Sequence, residues 1–435
     1  MHDFGALITS VREGGSSIAD ISGHVISVRA KMIFSLFVWL ALILVIAVFV
    51  YLCADTFVQA PQIVVPSLGL IPVAVIVGYL LYYVRANSVL ATILGLAALT
   101  GLIFLGNFLP IKAGINVWIV VLLVYCYFAS ILPVNILLQP RDYLSSFLLF
   151  FGIGVGYIGL FLSHPKIIMP SFNGWASSEG YLWPTLFVTV ACGAVSGFHA
   201  LIASGTSSKQ IANERHAKRI GYGGMVIEGI VAVLAIITVA IMFGTGEDLG
   251  AALKTQGPIG IFGSGYGRIT NKVLFTYGPF IAITILNAFI LTTLDTATRI
   301  SRYMTEEIFP IKNRYFSTAI IIILSGGLAF SGQWQRIWPA FGAANQLIAA
   351  LVLFILSCWL FAKGKTTRYT IWPACFMFIT TIAALVLQVG VYFKNKDLVL
   401  IIVTISLIIL ACFMAYEAFK AAIKMKKNSG REKYA

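Results

Sequence analysis

The sequence predicts an all-α, polytopic membrane protein of about 12 transmembrane helices, and three observations carry that reading. Of its 435 residues, 59% are hydrophobic and only 11% are charged. A soluble domain carries about 25% charged residues. Mean hydropathy is +0.94. The apolar residues also gather in runs close to the roughly 20 residues that a helix needs to cross a bilayer. Lys and Arg, finally, concentrate in alternate connections between those runs, as the positive-inside rule requires. A soluble multidomain enzyme is excluded by the scarcity of charge. Disorder is excluded by 13% aromatics, which demand burial.

Taken in order, residues 1–31 are polar and glycine-rich, without an apolar core. They read as a cytoplasmic N-terminal segment and not as a cleavable signal peptide. The apolar runs then cover 32–54, 67–84, 88–109, 115–138, 147–162 and 183–203. They continue over 224–243, 273–298, 316–330, 339–362, 369–393 and 398–423. Several are interrupted by Gly or Pro, which softens their boundaries. The longest connections, 164–182, 204–223 and 244–272, are too short for a folded soluble domain, so 32–423 is one transmembrane domain. Residues 424–435 form a basic cytoplasmic tail at the membrane surface.

Orientation follows from the charges. With the N-terminal segment inside, inner connections hold Arg12, Arg29, Lys31, Arg85, Arg141, Lys209, Arg215, Lys218 and Arg219. They also hold Arg299, Arg302, Lys312, Arg314, Lys363, Lys365, Arg368 and the six cations from Lys420 to Lys433. Outer connections hold Lys112, Lys166, Lys254, Arg268, Lys272, Arg336, Lys394 and Lys396. Both termini are therefore expected in the cytoplasm. The net charge of +14 is accounted for by the anionic inner leaflet, and a nucleic-acid partner is not implied.

Enzyme signatures are absent: the chain has no HExxH, no GxSxG and no GxxxxGK[ST]. Six scattered cysteines form no CxxC pair, so neither a disulfide framework nor a metal site is expected, and no cofactor is implied. The run Gly263-Ser264-Gly265-Tyr266-Gly267 lacks one residue of the dinucleotide fingerprint and reads as a turn-rich linker in an outer loop.

Polar residues inside apolar helices are costly and mark either a function or a partner. In the first such cluster, Pro133 and Pro140 bracket Asn135 beside Arg141 and Asp142. It is either an interrupted helix whose freed carbonyls and Arg141 meet substrate, or an ordinary helix end with an Arg-Asp pair. The second joins Ser196, His199, Ser204 and Thr206: hydroxyls suited to a hard cation and an imidazole able to carry a proton. Its alternative is a satisfied core histidine among small packing residues. Asp295 and Arg299 stand four apart on one helix face, which suggests an internal ion pair. Asn345 and Gln346 are either substrate contacts or structural hydrogen bonds across helices. His199, Glu228 and Asp295 fall at similar depth, so they form either one proton or cation pathway or three separately paired charges.

The runs LPVNILLQPRDYLSSFL, ACGAVSGFHALIASGTSSKQIANE, IGYGGMVIEG, LTTLDTATRISRY and WPAFGAANQL, in this order, resemble the carbon starvation protein A family. The resemblance extends from Met1 to about Lys420. It implies a bacterial inner-membrane transporter of peptides or pyruvate, with leucine-transporter-like inverted five-helix repeats. The opening Met1-His2-Asp3-Phe4-Gly5-Ala6-Leu7 resembles the family's sequence at the end of an early transmembrane helix, with further helices expected upstream.

The function expected is secondary active transport of short peptides or a small carboxylate such as pyruvate, linked to carbon starvation. A proton or sodium ion would be the coupling cation, with the lipid bilayer as surroundings. The alternative is a non-transporting sensor, or a partial subunit completed by a separate N-terminal chain. Candidate substrate contacts are Pro133, Asn135, Pro140, Arg141, Asn345 and Gln346. The candidate ion or proton path comprises Ser196, His199, Ser204, Thr206, Glu228, Asp295 and Arg299.

Overall fold

Ser27 opens the longest buried helix of the bundle, its hydroxyl accepting the Ala30 N–H at 3.1 Å as an N-cap. The computed structural model describes residues 2–172, 174–177 and 180–432, so Met1 and Lys433 to Ala435 lie outside the described residues. The helices are α1 (His2–Arg12), α2 (Ile18–Val25), α3 (Val28–Gln59), α4 (Val64–Tyr82), α5 (Ser88–Phe108), α6 (Ile115–Ile131) and α7 (Leu138–Ser163). After two paired two-residue strands, β1 (Ala176–Ser177) and β2 (Gly180–Tyr181), come α8 (Phe187–Thr189), α9 (Ala191–Ala194) and α10 (Gly197–Gly205). The remainder are α11 (His216–Ala240), α12 (Gly246–Leu274), α13 (Gly278–Ile308), α14 (Arg314–Phe330), α15 (Trp334–Ala362), α16 (Arg368–Asn395) and α17 (Leu398–Glu432).

Among the described residues, nine helical stretches are long and apolar enough to cross a membrane, and α6 and α14 are shorter apolar helices. With the interrupted stretch from Leu182 to Gly205, each of the twelve apolar runs has a helical counterpart. The chain is a multi-pass, all-α membrane protein. Helices α15 and α3 form its centre, with 83% and 72% of their most apolar stretches buried, whereas α11 buries 17% and turns its apolar side chains outward. A helix that is apolar all round belongs inside the bundle or against lipid, and these three show both outcomes.

The structure departs from the sequence reading in four places. The run 183–203 is not one helix: it breaks at Val195 and Ser196, between α9 and α10. The run 115–138 ends at Ile131, because Pro133 lacks an N–H and holds Leu132 in an extended conformation (φ −64°, ψ 147°). The glycine run 263–267 is no linker but lies inside α12, beyond a kink at Gly257 (φ 66°) and Pro258. Its glycines are contact points. A Cβ at Gly265 would collide with the Thr238 carbonyl of α11, and one at Gly267 would collide with Pro279 of α13. Small residues let helices approach closely, and spacing meant for that purpose imitates a turn signal. Lastly, residues 2–12, in the segment read only as polar and glycine-rich, fold into a packed helix. They form α1, packed along α10, α11 and α15 with His2, Asp3, Thr9 and Ser10 buried.

Candidate functional site

The break at Val195–Ser196 frees backbone groups that apolar surroundings cannot solvate. Two side chains distant in sequence take them up. His2 Nε2 donates to the Ser196 carbonyl at 3.0 Å, and Asn345 Oδ1 accepts the Phe198 N–H at 2.9 Å. Asn345 Nδ2 meanwhile donates to Cys192 Sγ at 3.1 Å. Gly197 permits this approach of α10 to α15, since a Cβ there would collide with the Asn345 carbonyl. At the far end of α10, Ser10 Oγ donates to the Ser204 carbonyl at 2.8 Å. Helix α10 is thus held at both ends by α1. Ser204 Oγ is itself spent on the Ala200 carbonyl at 3.0 Å.

Between these clamps, His199 Nδ1 lies 2.9 Å from Glu228 Oε2 on α11, and both side chains are partly exposed. Sequence depth grouped Asp295 with them, but the geometry separates it. Asp295 is fully buried and pairs with Arg141, itself 1% exposed, while Tyr125 Oη donates to Asp295 Oδ2 at 2.7 Å. Arg141 also donates to the Tyr125 hydroxyl. Among the described residues no hydrogen bond joins the two pairs. Asp295 Oδ1 and Arg141 Nε have no hydrogen-bond partner among the described residues, so this ion pair is buried but only partly satisfied.

The Asp295–Arg299 pair suggested by their spacing does not form. Arg299 Nη2 instead donates to the Ala129 and Leu132 carbonyls at 2.7 and 2.5 Å. Pro133 cannot supply the N–H that would otherwise reach Ala129, and Arg299 takes up that carbonyl at the end of α6. Residues 134–137 are a turn between α6 and α7. Asn135 is exposed on it, whereas Pro140 is buried in the first turn of α7, where a missing N–H breaks no helix bond. A Cβ at Gly78 would lie 2.5 Å from Pro140 Cγ, so α4 and α7 touch there.

A cleft of about 730 Å³ opens between the α7 and α10 ends. Gln139, Pro140, Asp142 and Tyr143 line one side, Ile202, Thr206, Ser207 and Gln210 the other, and Thr296 also lines it. Asp142 Oδ1 lies 3.3 Å from Arg141 Nη2, and Thr296 is the chain neighbour of Asp295, so the cleft ends beside the buried pair. Gln346 is 5% exposed, and its Oε1 has no hydrogen-bond partner among the described residues. Sequence reasoning missed His2, Ser10 and Tyr125. A phenol within the apolar run of α6 was the available signal for Tyr125, since such a hydroxyl needs a partner. Nothing local marked His2 or Ser10, whose partners lie 194 residues away.

Comparison with known proteins places the chain in a family. Over residues 1–247 and 244–384 the chain matches the family model described as carbon starvation protein CstA. It is 28% identical over 440 residues to the peptide transporter CstA of Bacillus subtilis, covering 87% of this chain and 73% of that protein. It is 27% identical to the pyruvate/proton symporter BtsT of Escherichia coli, covering 89% and 68%. Against the peptide transporter CstA of Helicobacter pylori the identity is 27%, covering 84% and 64%. A solved manganese transporter of Eremococcus coleocola aligns over 98% of this chain and 93% of its own, at 13% identity and a TM-score of 0.47, a likeness on which nothing rests. The chain belongs to the carbon starvation protein CstA family.

Proposed function

We propose that this chain is a secondary active transporter of short peptides or a small carboxylate such as pyruvate, driven by protons across a bacterial inner membrane. Both termini face the cytoplasm in this reading. The observation that carries it is the buried, partly satisfied Arg141–Asp295 pair at the end of the cleft.

The chemistry follows from what each charge needs. A buried guanidinium needs a compensating partner, and removing the carboxylate from the Arg141 pair alone leaves an uncompensated charge that costs about 3–5 kcal/mol. A proton arriving at Asp295 removes that carboxylate, and a substrate carboxylate replaces it at Arg141. Each event is unfavourable alone and permitted together, which is the requirement of symport. Peptides and pyruvate both present the carboxylate. Asp142, half-exposed beside Arg141, also gives a peptide's ammonium group a partner that pyruvate does not need. That puts peptides ahead.

His199 and Glu228 serve as the second proton-handling pair, and their separation would release α10 from α11. Pro140 and Thr206 line the entry cleft, Asn135 lies exposed on the turn next to the lining residue Val134, and Ser196, Ser204 and Asn345 hold the interrupted helix. Arg299 fixes the α6 end beneath Pro133, and Gln346, buried on α15 with its Oε1 unpartnered among the described residues, is assigned to substrate only as part of this proposal. The carboxylates Asp295 and Glu228 are each matched to a cationic or imidazole side chain, which favours a proton over sodium as the releasing charge.

The test is uptake of a labelled dipeptide and of pyruvate into proteoliposomes under an imposed proton gradient or an imposed sodium gradient. Accumulation driven by protons supports the proposal. Accumulation driven by sodium alone, or equilibration under both, overturns it.

A further inference from the structure

A second cavity, of about 380 Å³, lies far from the cleft in sequence, where the start of α3 meets the charged end of α17. Its wall carries Ser27, Arg29, Glu417, Lys420 and Lys424. None of the three cations has an ion-pair partner among the described residues, although Lys31, two residues from Arg29, is paired to Asp20 at 2.6 Å. The one carboxylate, Glu417, accepts a hydrogen bond from Ser27 Oγ at 3.0 Å and is held to the wall. The amino end of α3 adds partial positive charge at the same place. Three cations against one carboxylate around a concavity make a receptor for an anion.

The surroundings say what kind of anion. On α17, Glu417, Lys420 and Lys424 follow one another at spacings of three and four, which puts them on one helix face. The same spacing runs back through Phe413, Ile409, Ile405 and Ile402, all of them exposed. A charged pocket is thus continuous with an apolar stripe along a membrane-spanning helix. A free anion uses only the pocket, whereas a phospholipid uses both: its phosphate meets the cations and its acyl chains cover the stripe. Basic pockets at the membrane-facing ends of helices take such headgroups.

We propose that Arg29, Lys420 and Lys424 form a binding site for the phosphate of an anionic phospholipid, with its chains lying along Phe413 and Ile409. The site is independent of the transport cleft. Its occupation would tie α3, at the centre of the bundle, to α17.

The experiment uses the full chain in mild detergent, titrated with phosphatidylglycerol, phosphatidylcholine or inorganic phosphate and followed by native mass spectrometry. Phosphatidylglycerol is expected to remain bound where phosphatidylcholine is lost, and millimolar inorganic phosphate is expected not to displace it. Replacing Arg29→Gln, Lys420→Gln and Lys424→Gln together should weaken phosphatidylglycerol binding roughly tenfold or more. The control, Lys363→Gln with Lys365→Gln and Arg368→Gln, removes as much charge elsewhere and should leave it unchanged. Should the triple variant fail to fold, Lys424→Gln alone must weaken binding severalfold. Equal retention of both lipids, equal loss in the control, or no loss in Lys424→Gln overturns the proposal. Displacement by inorganic phosphate would make this a soluble-anion site and overturn it as well.

Discussion

Arg299 on α13 donates to the Ala129 carbonyl on α6 at 2.7 Å, the acceptor that Pro133 leaves without a helical partner. A residue that breaks one helix therefore creates the docking point for another. The relationship explains why a guanidinium can sit 6% exposed in an apolar bundle without a carboxylate beside it.

If that reasoning holds, Pro133 and Arg299 are energetically coupled. Arg299→Gln should destabilise the protein by about 2 kcal/mol, the range of a hydrogen bond to a charged group. In a Pro133→Ala background, where the introduced alanine would supply its own N–H, the same change should cost less. A double-mutant cycle on detergent unfolding should give a coupling of roughly 1 kcal/mol. Strict additivity would remove the connection.

The approach of α10 to α15 depends on a missing side chain. Gly197→Ala drives a Cβ into the Asn345 carbonyl and Ile348 Cβ, so it should destabilise by roughly 1–3 kcal/mol. Gly205→Ala, on the same helix with nothing within 4 Å of the added carbon, should be neutral or mildly stabilising. Thermal unfolding of the two variants side by side decides it, and equal effects would count against the packing explanation.

The architecture was legible in the sequence because burial in lipid imposes a long apolar run on every crossing, and twelve such runs stood out. What escaped was information carried by pairs distant in sequence. Gly263, Gly265 and Gly267 look like turn residues until Thr238 and Pro279 are brought against them. His2 and Ser10 look like a polar lead-in until their carbonyl partners on α10 are placed. Asp295 and Arg299 have the spacing of an ion pair, but Asp295 has a better partner in Arg141, and Arg299 has two carbonyls to satisfy. Local spacing lists the contacts a helix face permits. Tertiary packing chooses among them.

His199 and Glu228 lie 2.9 Å apart and are partly exposed, and in the proposed reading they exchange a proton during transport. Glu228→Gln keeps the shape and removes the carboxylate. Proton-driven uptake should fall, and the dependence of uptake on pH should flatten, while insertion and thermal stability change little. An unchanged pH profile would reduce the pair to a structural link between α10 and α11.

In the proposed reading, Asp142 distinguishes the substrates. Asp142→Asn removes the carboxylate that faces a peptide's ammonium group, so uptake of a dipeptide should lose roughly tenfold in kcat/KM, the worth of one charge-assisted contact. Pyruvate uptake should be unaffected or improved. Equal losses for both substrates would take Asp142 out of substrate recognition.

The exchange of partners at Arg141 is tested most directly by the proton taken up when substrate binds. Calorimetry of dipeptide binding at one pH, in buffers of different ionisation enthalpy, gives that number for the whole protein. The wild type is expected to take up close to one proton per substrate bound. Asp295→Asn, already neutral, is expected to bind substrate with almost no proton uptake, and Asp295→Glu should restore it. Undiminished proton uptake in a folded Asp295→Asn variant would contradict the exchange, because the proton would then be landing on some other group.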